Sequence, residues 1–171
     1  MALTPGRGYV ALRRGRHSIA GAEYFLTCCT AERQPGLESH DIASRIMAIA
    51  HGLSLDGIWV LRTAVIMRDH VHLLVALNDR EPLSGALRLF KGRTSPILRN
   101  AKLSWQRGYF DHRMREAEDL LPVFLYVFLN PHRAGLVRAN EHWPGYFCAA
   151  EDWAWFSPLT DHECPFPEWI V

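Results

Sequence analysis

The sequence predicts an α+β fold in which a central antiparallel sheet carries helices mainly on one face. Three observations lead there. Strand-like and helix-like runs follow one another in the order strand–helix–strand–strand–helix–strand–helix. The two middle strands are separated only by Arg68-Asp69, a connection too short to join anything but antiparallel neighbours. The chain has 171 residues, of which 49% are hydrophobic, enough for one core, and it shows no internal repeat.

Each element has its own signal. Residues 1–22 are rich in Gly and Arg without periodicity and read as a basic N-terminal arm. Tyr24 to Thr30 (YFLTCCT) is aromatic and β-prone, a first strand. From Ser39 to His51, Ile42, Ile46, Ile49 and Ala50 recur at helical spacing, and Gly52 is a suitable stop. Ile58 to Met67 and His70 to Leu77 form the hairpin. Pro82 opens a second helix through Arg99, with Leu83, Leu87, Phe90 and Ile97 on one stripe, although Gly92 and Pro96 weaken its middle. Trp105 to Met114 turns into a fourth strand. A third helix is expected from Glu116, its acids suited to a helix N-terminus, to a stop at Asn130-Pro131. Beyond Gly135 no regular element is evident. This order matches a ferredoxin-like or RRM-like sheet. The expected organisation is an arm over 1–22, a catalytic domain over 23–138 and an acidic Trp- and Pro-rich tail over 139–171.

The net charge of +1 hides a strong asymmetry. Between Arg80 and Arg115, nine Lys and Arg stand against Glu81 and Asp111 alone, whereas residues 139–171 hold six acids and no Lys or Arg. A basic middle is where a polyanion would sit, though a solvated helix face has the same composition. Cys28, Cys29, Cys148 and Cys164 show no C-x-x-C spacing and read as thiols of a reducing compartment. No apolar run approaches the roughly 20 residues a membrane helix needs, and no apolar region follows the N-terminal arginines. A cytoplasmic protein is expected.

The chemistry centres on His70-Val71-His72. Alternate residues of a strand share a face, so both imidazoles project together and Val71 enters the other layer. Paired imidazoles are natural metal ligands, but a buried structural histidine is an equally ordinary use of the residue. Tyr126 and Asn130 stand four apart on the third helix and share its face. An amide oxygen beside two imidazoles suits Mg²⁺ or Mn²⁺, while Tyr126 among Phe124, Val127 and Phe128 also fits a simple core position.

Taken in order, MRDHVHLLV, LFKGRT, WQRGYFDHRMR and FLYVFLNPHRAGLV resemble the REP-associated tyrosine transposases, bacterial relatives of single-strand insertion-sequence transposases within the HUH endonuclease superfamily. The resemblance runs from about Arg16 to Trp155. It implies the HUH nuclease fold, with His70, His72 and Asn130 holding Mg²⁺ or Mn²⁺ and Tyr126 as nucleophile. It also implies a substrate of single-stranded DNA with hairpin palindromic repeats and a flanking tetranucleotide, cut through a 5′-phosphotyrosine intermediate. Arg68 departs from the proline many relatives carry before the histidines and adds a candidate phosphate contact.

Further DNA contacts are expected from Arg13, Arg14 and Arg16 of the arm and from Arg88, Lys91, Arg93, Arg99, Lys102 and Arg107, with Trp105 as a stacking platform. Asp111 and His112 are candidate partners behind the metal ligands. Either a monomer or a homodimer fits one copy of each motif. Two alternatives stand beside this reading. One is a non-catalytic nucleic-acid-binding module on the same sheet, and the other a zinc metallohydrolase that recruits His112, His132 or His142 as a further ligand.

Overall fold

The structure is a computed structural model and describes residues 18–116, 118–138 and 141–159. The strands are β1 (Glu23–Cys29), β2 (Trp59–Ile66), β3 (His70–Leu77), β4 (Phe110–Arg113) and β5 (Tyr146–Cys148), in the spatial order β4-β1-β3-β2-β5. All pairings are antiparallel. The helices are α1 (His40–Leu55), α2 (Leu83–Asn100), α3 (Leu121–Arg133) and α4 (Ala150–Phe156), with short 3-10 turns at Ala31–Arg33 and Ser157–Leu159.

The hairpin is as tight as the sequence requires: the Met67 amide donates to the His70 carbonyl at 2.8 Å across Arg68-Asp69. In β1 and β3 the side chains alternate between two cores. Leu26, Cys28, Val71, Leu73 and Val75 face α1 and α2, where they meet Ile46, Leu53, Leu87 and Phe90. Phe25 and Leu74 face the other way, against Phe124 and Val127 of α3 and Phe156 of α4. A register shift between Leu61 and Thr63 places Arg62 at a bulge in β2. There its guanidinium binds Glu23 of β1 and Asp152 of α4. The sequence predicts helices mainly on one face, but they are divided: α1 and α2 cover one face and α3 and α4 the other. The reason is that Phe25, Val65 and Leu74 make that second face apolar too, and the histidine-bearing face lies under α3.

Three boundaries differ from the sequence expectation. The first helix passes Gly52 and ends at Leu55, because Gly57, at φ 70°, is the residue that can turn the chain back. Pro96 is accommodated inside α2: the helical bond it cannot donate falls at Gly92, and both residues lie on the exposed side. The third helix begins at Leu121 rather than Glu116. Pro122 sits in its first turn, where a missing N–H costs nothing, and the Asp119 carboxylate accepts from the Leu121 amide at 2.9 Å. Glu118, expected inside the helix, instead pairs with His112 at 2.7 Å. Nor does Asn130-Pro131 stop it; α3 runs on to Arg133 with Pro131 in its last turn.

The segment after residue 139 is more structured than its sequence suggests. β5 adds to the open edge of β2, and α4 buries Phe156 against Phe124, ring centroids 5.6 Å apart. Gly145 lets this strand enter, since a Cβ there would stand 2.8 Å from the Ile66 carbonyl oxygen. A three-residue strand and a seven-residue helix are too short to reveal a period.

Candidate functional site

Pairing of Thr27 with His72 and of Cys29 with His70 puts four side chains on the α3 face of two adjacent strands. Val71 lies fully buried on the other face, as strand alternation demands. From α3, Tyr126 and Asn130 reach down onto the same spot. These side chains line one cavity of about 420 Å³, together with Phe25, Arg33, Phe110 and Arg133. Within it His72 is 4% exposed, Tyr126 7% and Asn130 9%, so these side chains open onto the cavity and onto little else.

The imidazoles face one another with their Nε2 atoms 3.1 Å apart. His70 Nδ1 lies 2.6 Å from Asp69 Oδ1 and His72 Nδ1 lies 2.9 Å from Thr27 Oγ1. A carboxylate only accepts, so His70 carries its proton on Nδ1 and presents a lone pair at Nε2. A hydroxyl both donates and accepts, and two arrangements therefore satisfy His72. In one, His72 Nε2–H donates to His70 and Thr27 donates to Nδ1. In the other, Nδ1–H donates to Thr27, and both Nε2 lone pairs converge on one point, which only a cation stabilises. Burial lowers the pKa of His70 against the opposing pull of Asp69, and it lowers that of His72 well below the ordinary range, assisted by His70 and Arg33. Both rings are thereby held in the neutral form that ligates metal.

The donor set fits a divalent ion. Two nitrogens about 2.1 Å from one ion and at right angles stand roughly 3 Å apart, close to the separation of the two Nε2 atoms. Each imidazole has a partner on its far nitrogen that fixes its orientation. Among the described residues no group of three or more His, Cys, Asp or Glu is assembled for a metal. Further ligands near the pair would be oxygens, and Asn130 is on the wall of the cavity. The Tyr126 hydroxyl lies 3.5 Å from His72 Nε2, with its ring edge-on to Phe25 and the Arg133 guanidinium 5.4 Å from its centroid.

A second cavity, of about 850 Å³, lies beside α2 and gathers Arg88, Lys91, Arg99, Trp105 and Arg107, five of the residues expected to contact DNA. No carboxylate among the described residues pairs with Arg88, Arg99 or Arg107. Lys91 has another duty: its ammonium binds the Gln106 and Gly108 carbonyls and holds the loop that forms the wall. Trp105 is half-buried, with Nε1 donating to Thr94 Oγ1 at 2.8 Å, so one edge of the ring is anchored. Tyr109, packed on the α1–α2 side, lines this cavity, whereas Phe110, opposite Thr27, lines the other from the α3 side of the sheet.

The remaining sites are placed elsewhere. Arg93 pairs with Asp56 at 2.6 Å and Arg68 with Glu38 at 3.2 Å, while Lys102 occupies the turn after α2, and none of the three lines either cavity. Arg13, Arg14 and Arg16 lie outside the described residues. Asp111 and His112 do not back the histidine pair. Asp111 lies opposite Leu26 and so on the α1–α2 face, and His112, on the correct face, is taken by Glu118. The partners of the imidazoles are Asp69 and Thr27, with Arg33 binding the other carboxylate oxygen of Asp69 at 2.9 Å. Asp69 was legible as an acid next to a candidate ligand, whereas Thr27 and Arg33 carried no sequence signal.

The sequence profile of the transposases described as IS200-like matches residues 18–127, a span holding both histidines and Tyr126. The chain belongs to the IS200-like transposase family. This IS200-like transposase is 22% identical over 133 residues to the REP-associated tyrosine transposase of Escherichia coli, covering 75% of this chain and 78% of that protein. It is 27% identical over 94 residues to a candidate REP-associated tyrosine transposase of Haemophilus influenzae, covering 46% of this chain and 53% of that one, about half the relative's length. Among solved structures it matches the REP-associated tyrosine transposase bound to a REP hairpin, with TM-score 0.61 and 20% identity over 71% of this chain and 73% of that one. The resemblance read from the ordered motifs is borne out, and the α+β fold with it. No helix among the described residues is long and apolar enough to cross a membrane.

Proposed function

We propose that this transposase is a divalent-metal-dependent enzyme that nicks and rejoins single-stranded DNA at hairpin-forming palindromic repeats, through a 5′-phosphotyrosine on Tyr126. The observation that carries the reading is the convergence of the Tyr126 hydroxyl, both histidine Nε2 atoms and Asn130 on one cavity. His70, His72 and the Asn130 amide oxygen would hold Mg²⁺ or Mn²⁺, which when bound polarises the phosphate and offsets its charge.

The chain's own residues do the rest. Asp69 and Thr27 hold the imidazoles in place, and Phe25 and the walls of α3 exclude water around the phenol. Tyr126 Oη attacks phosphorus, the bond from phosphorus to the 3′ oxygen breaks, and the phenolic proton is lost as the departing 3′ oxygen gains one. The diester's energy is retained in the protein–DNA bond, so a 3′-hydroxyl can reverse the step and join strands. Arg88, Arg99 and Arg107, with which no carboxylate among the described residues pairs, would neutralise strand phosphates beside the Trp105 ring, on the α2 side of the sheet and away from the nucleophile under α3. The solved relative bound to a REP hairpin supports the same substrate class here. All proposed groups come from one chain, so a monomer suffices, and a DNA substrate places the protein in the cytoplasm.

The test is incubation with 3′-labelled single-stranded hairpin oligonucleotides and Mn²⁺ or Mg²⁺, resolved on a denaturing protein gel. The expected result is a covalent protein–DNA band, absent in Tyr126→Phe and weakened in His70→Ala. A band that persists in Tyr126→Phe refutes the nucleophile. Cleavage to a free 5′-phosphate without an adduct means ordinary hydrolysis.

A further inference from the structure

Among the described residues, the wall of the Tyr126 cavity holds two arginines, Arg33 and Arg133, and no carboxylate. Arg33 is held in an unusual way. It lies in the 3-10 turn Ala31–Arg33, and Glu32 and Arg33 adopt φ of 55° and 57°, a region that non-glycine residues seldom occupy. Hydrogen bonds keep the turn there. The Thr30 amide donates to the Asp69 carbonyl at 2.9 Å, its hydroxyl donates to the Gln34 carbonyl at 2.7 Å, and the Ala31 amide donates to the Ser104 carbonyl at 2.8 Å. The guanidinium is fixed as well. Nε donates to Asp69 Oδ2 at 2.9 Å and one terminal nitrogen contacts Cys29 Sγ at 2.8 Å. Its other terminal nitrogen has no partner among the described residues.

Asp69 therefore orients two groups at once: His70 through Oδ1 and Arg33 through Oδ2. A structural ion pair would satisfy Asp69 without bringing the guanidinium onto the cavity wall. Here a guanidinium held on two of its nitrogens keeps its third on the cavity wall that carries the paired imidazoles and the phenol, and that charged N–H donor suits a non-bridging oxygen of a phosphodiester.

We propose that Arg33 is a further catalytic residue, whose guanidinium contacts a non-bridging oxygen of the scissile phosphodiester and stabilises the charge that builds there as Tyr126 attacks. The inference rests on the reading of Tyr126 as nucleophile. Bond making and breaking are those of the strand-transfer step already described, and Arg33 neither gains nor loses a proton.

The test is single-turnover adduct formation on hairpin oligonucleotides that carry either the natural phosphodiester or an uncharged methylphosphonate at the cleavage position mapped with the unaltered protein. Arg33→Gln is expected to slow the reaction about a hundred-fold on the phosphodiester, the usual cost of losing one such donor, and only a few-fold on the methylphosphonate. Arg33→Lys should fall between, because it restores the charge without the planar group that Asp69 and Cys29 hold in place. Hairpin binding should stay within about three-fold, since distant contacts dominate affinity. Equal losses on both substrates would assign Arg33 to the shape of the site and overturn the proposal, as would an unimpaired Arg33→Gln. An unaltered protein that forms no adduct refutes the tyrosine reading and this inference with it. An adduct that forms equally well in Arg33→Gln refutes this inference alone.

Discussion

Thr27→Val isolates one hydrogen bond at the heart of the site. Valine keeps the branched shape and nearly the volume of threonine but removes the hydroxyl that partners His72 Nδ1, an atom of a side chain 4% exposed. With both Nε2 lone pairs turned toward a metal, His72 must carry its proton on Nδ1, and in the variant that N–H is buried without an acceptor. Leaving such a group unsatisfied costs about 1–3 kcal/mol. At about 1.4 kcal/mol per decade that corresponds to roughly a 5- to 150-fold weaker metal site, in line with the ten- to hundred-fold loss typical when an outer partner of a ligating histidine is removed. Mn²⁺ titration followed by electron paramagnetic resonance measures the affinity directly, without DNA. Thr27→Ser retains the hydroxyl and should bind within a few-fold of the unaltered protein. Unchanged Mn²⁺ affinity in Thr27→Val would refute the orientation argument, and an equal loss in Thr27→Ser would reassign the effect to packing.

Three other outcomes follow from the same structure. Phe156→Ala should destabilise the protein by about 3–5 kcal/mol in urea unfolding, because the ring is fully buried against Phe124 and Phe128; a loss under about 1 kcal/mol would make the segment after residue 139 an appendage. Replacing Arg88, Arg99 and Arg107 together by Gln should lessen the slope of log affinity against log salt for single-stranded DNA by about 2, at roughly 0.7 per phosphate contact; an unchanged slope would remove the second cavity from the strand path. Burial pushes the Cys28 thiol from 9.0 up to about 12, so at pH 8 its thiolate is about a thousand-fold scarcer than in the unfolded chain. Alkylation of Cys28 by iodoacetamide, read by peptide mass, should therefore be negligible in the native protein and rapid in urea, and rapid native labelling would contradict the packing of β1 against α2.

The elements that sequence showed best are those whose signal is local and long. β3 was legible to the residue because HVHLLVAL is a continuous apolar run bounded by polar residues, and α1 began where Ser39 accepts from the Ile42 amide. α3 was misjudged at both ends because proline and acids carry opposite meanings by position. Pro122 starts a helix, Pro131 sits in its last turn, and Glu118 serves a strand rather than a helix dipole. β5 was missed because its strand character comes from the open edge of β2, not from three residues of its own.

The sequence alone determined that His70 and His72 share a face and that Tyr126 and Asn130 share another, since strand and helix periods are properties of the backbone. The ordered motifs around them pointed to the transposase family. That the two faces meet across one cavity was a tertiary matter, decided by α3 packing on the side of the sheet opposite α1 and α2. So was the identity of the groups that orient the imidazoles. Thr27 meets His72 through a strand register spanning 45 positions, and Arg33 arrives from a strained turn anchored to Asp69. Hydrogen bonds of a few ångströms between distant segments depend on register and packing, and neither leaves a period in the chain.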